Sequence, residues 1–345
     1  MKYTTLPHSD IKVSKLCLGT MTWGNQNTQE EGFSQMDYAV DQGINFFDTA
    51  ELYPVPAQEE TYAETERIIG KWLKKTGKRS DIVLGSKIAG TGDYTAHIRT
   101  NGFAPKAIED AINQSLKRLQ TDYLDLYQLH WPERQSNFFG TRDYKHNPND
   151  PWEDNFNEVL NSLDKAIQAG KIRNIGISNE KAWGAMRYLE EAKYNGKPRM
   201  KTIQNSYSLI NRGFENDLAE IAMREGLGLL AYSPMAFGVL SGKYVEGLAD
   251  EHSRLNLYPR FSRYSSVNCT KATTEYLKIA KQNGLSLAQM SLAFVTQQPF
   301  VTSNIIGAST MEQLKENIES IHVELSEEII TEINKIHEEI PNPAT

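Results

Sequence analysis

The segment Leu16-Cys17-Leu18-Gly19-Thr20-Met21 begins as a short apolar strand, yet no G-x-G-x-x-G follows it. An open dinucleotide-binding sheet needs that glycine pattern in its first strand-to-helix turn. The nearest glycine pair, Gly90-Thr91-Gly92, lacks the third glycine and the helix that would complete the pattern. Seven more strand-like runs follow, at Ile44–Asp48, Ile82–Ser86, Leu124–His130, Ile172–Gly176, Thr202–Gln204, Gly228–Ala231 and Asn304–Ile306. Helical patterns lie between them, over Thr28–Gln42, Thr61–Lys74, Pro105–Leu119, Phe156–Ala169, Ala182–Tyr194 and Phe214–Arg224. Eight strands alternating with helices, and no glycine fingerprint, predict an α/β fold closed as a (β/α)8 TIM barrel.

Additions surround this alternation. Tyr3–Leu6 and Ile11–Val13 flank the turn-prone Pro7–Asp10 and read as an N-terminal β-hairpin. Ser326–Glu339 reads as an extra C-terminal helix, with Ser326 and two glutamates at its start. Trp131–Asn155 and Ser233–Ser266 are long βα loops without periodicity. Long loops are usually functional, and in a barrel those after strands lie at the catalytic face. One domain over residues 1–345 is expected.

Composition narrows the function. With 39% hydrophobic and 23% charged residues the chain has the make-up of a globular protein. Its 37 basic and 44 acidic residues give a net charge of −7, which argues against a nucleic-acid partner. Cys17 and Cys269 stand far apart, with no CxxC and no histidine cluster, so neither a disulfide framework nor a metal site is expected. A reduced, cytoplasmic setting fits, with no signal peptide and no membrane partner, since no run of about 18 apolar residues occurs.

Ionisable residues stand at the ends of three neighbouring strands. Asp48 ends Ile44-Asn45-Phe46-Phe47-Asp48, Tyr53 follows five residues later, Lys87 closes Ile82–Lys87, and His130 closes Leu124–His130. Singly, each has an ordinary explanation: a packed aromatic, a rim charge, a helix cap, a satisfied imidazole. Together they suit carbonyl reduction. Hydride delivery to a carbonyl leaves an alkoxide that needs a proton, and a phenol of pKa about 10 is a poor donor unless a nearby ammonium lowers that pKa. Lys87 is placed to do so, Asp48 to hold the lysine, and His130 to orient the substrate oxygen.

Several segments in this order resemble the aldo-keto reductase family, and within it the bacterial Tas-type members near the potassium-channel β-subunit branch. They include Leu18-Gly19-Thr20-Met21, Asp48-Thr49-Ala50-Glu51-Leu52-Tyr53, Ser86-Lys87 and Tyr123–Pro132. Further along are Lys171–Asn179, Ile203-Gln204-Asn205, Ala231-Tyr232-Ser233-Pro234 and Gly307–Asn317. The resemblance implies a catalytic set of Tyr53, Asp48, Lys87 and His130, with Tyr53 the general acid. It implies cofactor contacts from Gly19, Thr20, Met21 and Asp48, a nicotinamide carboxamide held by Ser178, Asn179 and Gln204, and Tyr232 stacked on the ring. The pyrophosphate would lie under Ser233-Pro234-Met235-Ala236-Phe237-Gly238-Val239-Leu240-Ser241-Gly242-Lys243-Tyr244.

The adenosine end is expected at the helix after the last strand, where Gly307 leads in, Ser309 caps, and Gln313, Glu316 and Asn317 share one face. Gln313 stands where some relatives carry an arginine that clamps the 2′-phosphate, and Arg260 or Arg263 is the candidate replacement. NADPH is expected over NADH. Trp23, Trp131 and Phe138 or Phe139, with Tyr53 and His130, are expected to wall a pocket for a small carbonyl substrate, an apolar or aromatic aldehyde. The oligomeric state is left open, with a monomer favoured. The alternative to a reductase is an NADPH-binding regulatory or scaffold protein of the same fold, and a barrel hydrolase or lyase using Asp48 and His130 ranks last.

Overall fold

The computed structural model describes residues 1–344. The chain opens with an antiparallel hairpin of β1 (Tyr3–Thr5) and β2 (Lys12–Ser14), whose turn is closed by the Leu6 N–H donating to the Ile11 carbonyl at 2.8 Å. Eight strands follow: β3 (Leu16–Gly19), β4 (Phe46–Asp48), β5 (Val83–Ile88), β6 (Leu124–Leu129), β7 (Ile172–Ser178), β8 (Met200–Ser206), β9 (Gly228–Tyr232) and β10 (Val301–Ile306). They pair in parallel and in chain order, and β10 returns to pair with β3, so the barrel is closed.

Strand periodicity fixes what enters the barrel. Successive side chains of a strand point to opposite faces. Phe46, Val83 and Leu126 belong to an interior apolar cluster, whereas Phe47, Leu84 and Tyr127 belong to the outer one packed by helices. Counting on by twos from the interior residues gives Asp48 on β4, Lys87 on β5 and His130 just beyond β6. The same parity turns Ser178, Gln204 and Tyr232 inward, because Ile177, Ile203 and Ala231 belong to the outer cluster. Val13 of the hairpin joins the interior cluster with Cys17, Leu230 and Ile305, and so plugs the end where the strands begin. The mouth at the strand C-termini carries the polar residues.

The helices begin where local chemistry directs. Thr28 and Glu31 form a capping box ahead of Gln29–Asp41, with the Glu31 N–H donating to Thr28 Oγ1 and the Thr28 N–H to Glu31 Oε2. Pro105 opens Pro105–Leu119, and Ser326 caps the terminal helix Glu327–Glu339. Some elements differ from the periodicity reading. The helix expected over Thr61–Lys74 runs Glu64–Thr76, entered through a left-handed Ala63. Phe214–Arg224 divides into a 3-10 turn, Gly213–Asn216, and a helix, Leu218–Glu225. Between β9 and β10 lie two long helices the sequence did not delimit, Val267–Gln282 and Leu287–Gln297. The second is buried over most of its circumference, so it carries little apolar-polar contrast to reveal a helical period. No helix among the described residues is long and apolar enough to cross a membrane.

Candidate active site

A cleft of about 720 Å³ opens at the C-terminal mouth of the barrel. Its floor holds Asp48, Tyr53 and His130, with Lys87 fully buried behind them. The Lys87 ammonium directs its three N–H groups to Asp48 Oδ2 at 2.6 Å, the Thr49 carbonyl at 2.8 Å and the Tyr53 hydroxyl oxygen at 3.4 Å. Because Tyr53 accepts from the lysine, its own proton stays free to be given elsewhere. Asp48 Oδ1 accepts from Gln204 at 2.8 Å and from Gln128 at 3.4 Å, which fixes the carboxylate from its other side.

Burial would strip the charge from Lys87, but Asp48 and Tyr53 outweigh it and hold the lysine pKa above its usual value. Burial also dominates at Tyr53. Lys87 pulls the phenol down, as expected from the sequence, but burial, helped by Asp48, leaves its pKa raised rather than lowered. Tyr53 is therefore a protonated phenol across the neutral range. Burial first, and Lys87 second, push the His130 imidazole well below 6.5, so it is neutral, and its Nδ1 has no hydrogen-bond partner. The His130 ring meets Tyr53 edge-on at 5.8 Å between centroids.

Ser178, Asn179 and Gln204 are joined into one unit beside this floor. Ser178 Oγ donates to the Gln204 carbonyl at 2.7 Å, and Asn179 Nδ2 donates to the His130 carbonyl at 2.8 Å and to Ser178 Oγ at 3.1 Å. Tyr232 donates its hydroxyl proton to Asn179 Oδ1 at 2.6 Å. Asn179 holds a left-handed backbone with φ 55°, a conformation that asparagine accepts more readily than other non-glycine residues. Gly19, Thr20 and Met21 line the cleft beneath the β10 exit.

The strap after β9 crosses the cleft. Ser233, Pro234, Met235, Phe237, Gly238, Ser241 and Lys243 line it. The rest of the expected segment turns away: Ala236, Val239 and Leu240 pack into the core, Tyr244 accepts the Leu255 N–H at 3.0 Å, and Gly242 lies outside the lining. The 3-10 stretch Ala236–Ser241 turns Phe237, Gly238 and Ser241 to the cleft and Ala236, Val239 and Leu240 to the core, so one continuous contact surface is not available. At the far end Gly307, Ser309, Gln313, Glu316 and Asn317 all line the cleft. The helix cap there is Thr310, whose hydroxyl accepts the Gln313 N–H, and not Ser309. Ser309 instead donates its N–H and hydroxyl to Gln313 Oε1, at 3.0 and 3.1 Å.

Three expected wall residues lie outside the cleft lining. Trp23 is fully buried and donates its indole N–H to Gln35, which in turn donates to the Ala308 carbonyl, so it supports the β10 exit from outside. Trp131 donates to the Thr91 carbonyl, and Phe138 likewise lies outside the lining. The wall near Tyr53 is made by Leu52, Val55, Ala57, Tyr94 and Phe139.

Arg260 and Arg263 both line the cleft, Arg260 from an exposed position. The sequence reading missed Arg254. It is 8% exposed, lines the cleft, and has no carboxylate within ion-pair distance among the described residues. Burial, opposed by the nearby tyrosines Tyr258, Tyr53 and Tyr244, lowers its pKa to about 10. One guanidinium nitrogen donates to Gln26 Oε1 at 2.5 Å, while its Nε has no partner. Asp250 and Glu251, four and three residues earlier, give the sequence an apparent local partner, but Asp250 accepts from Ser253.

Comparison with known proteins gives one consistent result. A sequence model described as "Aldo/keto reductase family" matches residues 15–338. The chain is 48% identical to "Protein tas" of Escherichia coli strain K12, over all of both chains. It is 32% identical to "Uncharacterized oxidoreductase YrpG" of Bacillus subtilis, over 97% of this chain and 96% of that one. It is also 30% identical to "Probable voltage-gated potassium channel subunit beta" of Oryza sativa subsp. japonica, over 99% of this chain and 98% of that one.

Proposed function

The chain belongs to the aldo/keto reductase family of oxidoreductases, whose members bind nicotinamide cofactors, and from that premise we propose that it reduces aldehydes or ketones with NADPH, using Tyr53 as proton donor. The observation that carries this reading is the Lys87–Tyr53 contact of 3.4 Å, with the other two lysine N–H groups already committed to Asp48 and Thr49. When bound, the reduced nicotinamide supplies the hydride for the carbonyl carbon. Tyr53 then gives its proton to the developing alkoxide, and Lys87 stabilises the tyrosinate left behind. Asp48 keeps Lys87 charged despite its burial. Neutral His130 is able to donate one ring N–H to the substrate oxygen without adding a charge to the site.

The cofactor fits the groups along the cleft. Ser178, Asn179 and Gln204 offer the paired donors and acceptors that a carboxamide needs, and Tyr232 offers a ring face. Lys243, Arg254, Arg260 and Arg263 line the cleft against two carboxylates, Asp48, already paired with Lys87, and Glu316, which accepts from Ser286 at 2.6 Å. Four cations with so little compensation suit a ligand with several phosphates, and this supports NADPH over NADH. The apolar wall of Leu52, Val55, Tyr94 and Phe139 supports an uncharged, apolar or aromatic carbonyl substrate.

The test is loss of reduced-nicotinamide absorbance when the protein is mixed with NADPH and a panel of aldehydes and ketones. Turnover that disappears in Tyr53→Phe with cofactor affinity intact is the expected result. Tight NADPH binding with no turnover of any carbonyl would defeat the proposal.

A further inference from the structure

Glu51 lies two residues before Tyr53 in the loop after β4, is fully buried, and does not line the cleft. Its side chain and backbone both reach β5. Glu51 Oε1 accepts the Ala89 N–H at 2.6 Å, and the Glu51 backbone N–H donates to the Lys87 carbonyl at 3.2 Å. Arg99, from the loop after β5, is ion-paired with Glu51 Oε1, donates to Oε2 at 2.9 Å and reaches the Ala89 carbonyl at 3.3 Å. Glu51 therefore grips the β5 chain immediately beyond the residue that carries the ammonium.

A second carboxylate backs the first. Glu66 accepts the Ser86 hydroxyl at 2.6 Å and Arg118 Nε at 2.6 Å, and Arg118 also lies 4.0 Å from Glu51. Glu51, Glu66, Arg99 and Arg118 together are charge-balanced, with the carboxylates fully buried. Such clusters are weak sources of stability, because desolvation of the ions cancels most of their attraction. This one is built around the backbone on either side of Lys87. Among residues 50–53, the backbone bonds to β5 come from Glu51, while Tyr53 N–H bonds locally to the Ala50 carbonyl.

We propose that Glu51, clamped by Arg99, is a positioning residue for the proton donor: it sets the separation between the Tyr53 phenol and the Lys87 ammonium. The inference rests on the reductase reading above, and goes beyond it by assigning a task to a cluster outside the cleft. The groups facing Tyr53 itself are Lys87, Asp48, His130, Tyr232 and Arg254, none of which the substitutions below remove.

The test combines kinetics with direct titration of the Tyr53 phenol, by carbon NMR of protein labelled at the tyrosine ring and assigned with Tyr53→Phe. Loss of a nearby carboxylate, acting through space alone, would lower the phenol pKa. Retreat of Tyr53 from Lys87 raises it, by about one unit for a cation partner moved out of close range. In Glu51→Ala we expect that rise, with kcat lowered about 10²-fold and KM and NADPH affinity held within about threefold. Glu51→Gln, which can still accept the Ala89 N–H, should recover part of the loss. Arg99→Met, at the solvent edge of the cluster with a side chain 10% exposed, should lower kcat in the same way even where Glu51→Ala fails to fold, and because losing its cation would by itself raise the phenol pKa, the titration is read from the Glu51 variants. A phenol pKa that does not rise in the Glu51 variants that fold, a kcat unchanged in Arg99→Met, or a kcat loss matched by an equal loss of NADPH affinity, would overturn the assignment. If the unmodified protein turns over no carbonyl, the reductase reading fails, and the phenol titration still decides whether Glu51 sets the contact.

Discussion

Replacing Lys87 by methionine keeps the apolar stem, removes the ammonium and breaks three contacts at once. Asp48, with a side chain only 4% exposed, is left with two carboxamide donors, Gln204 at 2.8 Å and Gln128 at 3.4 Å. Removing one partner of a buried ion pair costs about 3–5 kcal/mol, and the two remaining donors put this site at the lower end of that range. The phenol loses the cation that opposed its burial, so its proton becomes harder to give. General acid catalysis is worth about 10²–10⁴ in rate, and kcat should fall by that factor. NADPH affinity should hold, since Lys87 does not line the cleft. Urea unfolding, fluorescence titration of NADPH and single-turnover reduction separate the three quantities. A paired variant, Lys87→Met with Asp48→Asn, should regain much of the stability and none of the rate, because the near-isosteric amide removes the lone buried charge while its Oδ1 can still accept from Gln204 and Gln128. A Lys87→Met enzyme within about tenfold of the original rate would refute the reasoning, as would a double variant no more stable than the single one.

Arg254→Met should weaken NADPH by about 10- to 100-fold, the effect of losing a charge-assisted contact of roughly 1.5–3 kcal/mol, yet leave the protein without cofactor no less stable, because a buried guanidinium with no carboxylate partner and an unpartnered Nε is removed; equilibrium binding and thermal melts give the two numbers. His130, whose folded pKa lies below that of an exposed imidazole, takes no proton where the unfolded chain does, so stability is full above about pH 6.5 and declines as pH falls through the window down to the depressed pKa, at no more than about 1.4 kcal/mol per pH unit. His130→Gln should lack that part of the decline in urea midpoints measured from neutral to acid pH. Phe139→Ala, at a cleft wall 42% exposed, should raise KM for aromatic aldehydes more than for short aliphatic ones, with kcat and NADPH affinity little changed in steady-state kinetics.

The residues of the floor were legible because strand geometry is simple. Apolar residues at Phe46, Val83 and Leu126 mark the interior face, and a step of two carries that face to Asp48, Lys87 and His130. The terminal helix was legible from Ser326, and the helix just before β10 was not, because Leu287–Gln297 is apolar on nearly every side. Trp23 was misplaced because an aromatic after a strand reads the same whether it faces the cleft or props Gln35 behind it. Arg254 was missed because an aperiodic loop gives no rule for which of its cations turns inward. The sign of the Tyr53 shift was beyond sequence altogether, since burial decides it and burial belongs to the folded chain.

Charge is distributed along the cleft in a way that divides its labour. At the floor the ionised groups compensate one another: Lys87 pairs with Asp48 at 2.6 Å, and His130 is neutral. A site of no net charge leaves the phenol protonated and ready to donate. Further along, Lys243, Arg254, Arg260 and Arg263 line the cleft without a carboxylate in ion-pair range among the described residues, and burial lowers the pKa of both Lys243 and Arg254. Of the four only Arg254 is buried, and a buried cation with no ion pair opposes folding, so an anion that joins it stabilises the native state by mass action. Arg254, costly when alone, together with the more exposed Lys243, Arg260 and Arg263, is what would make a phosphate-bearing cofactor bind tightly, without disturbing the neutral floor on which proton transfer depends.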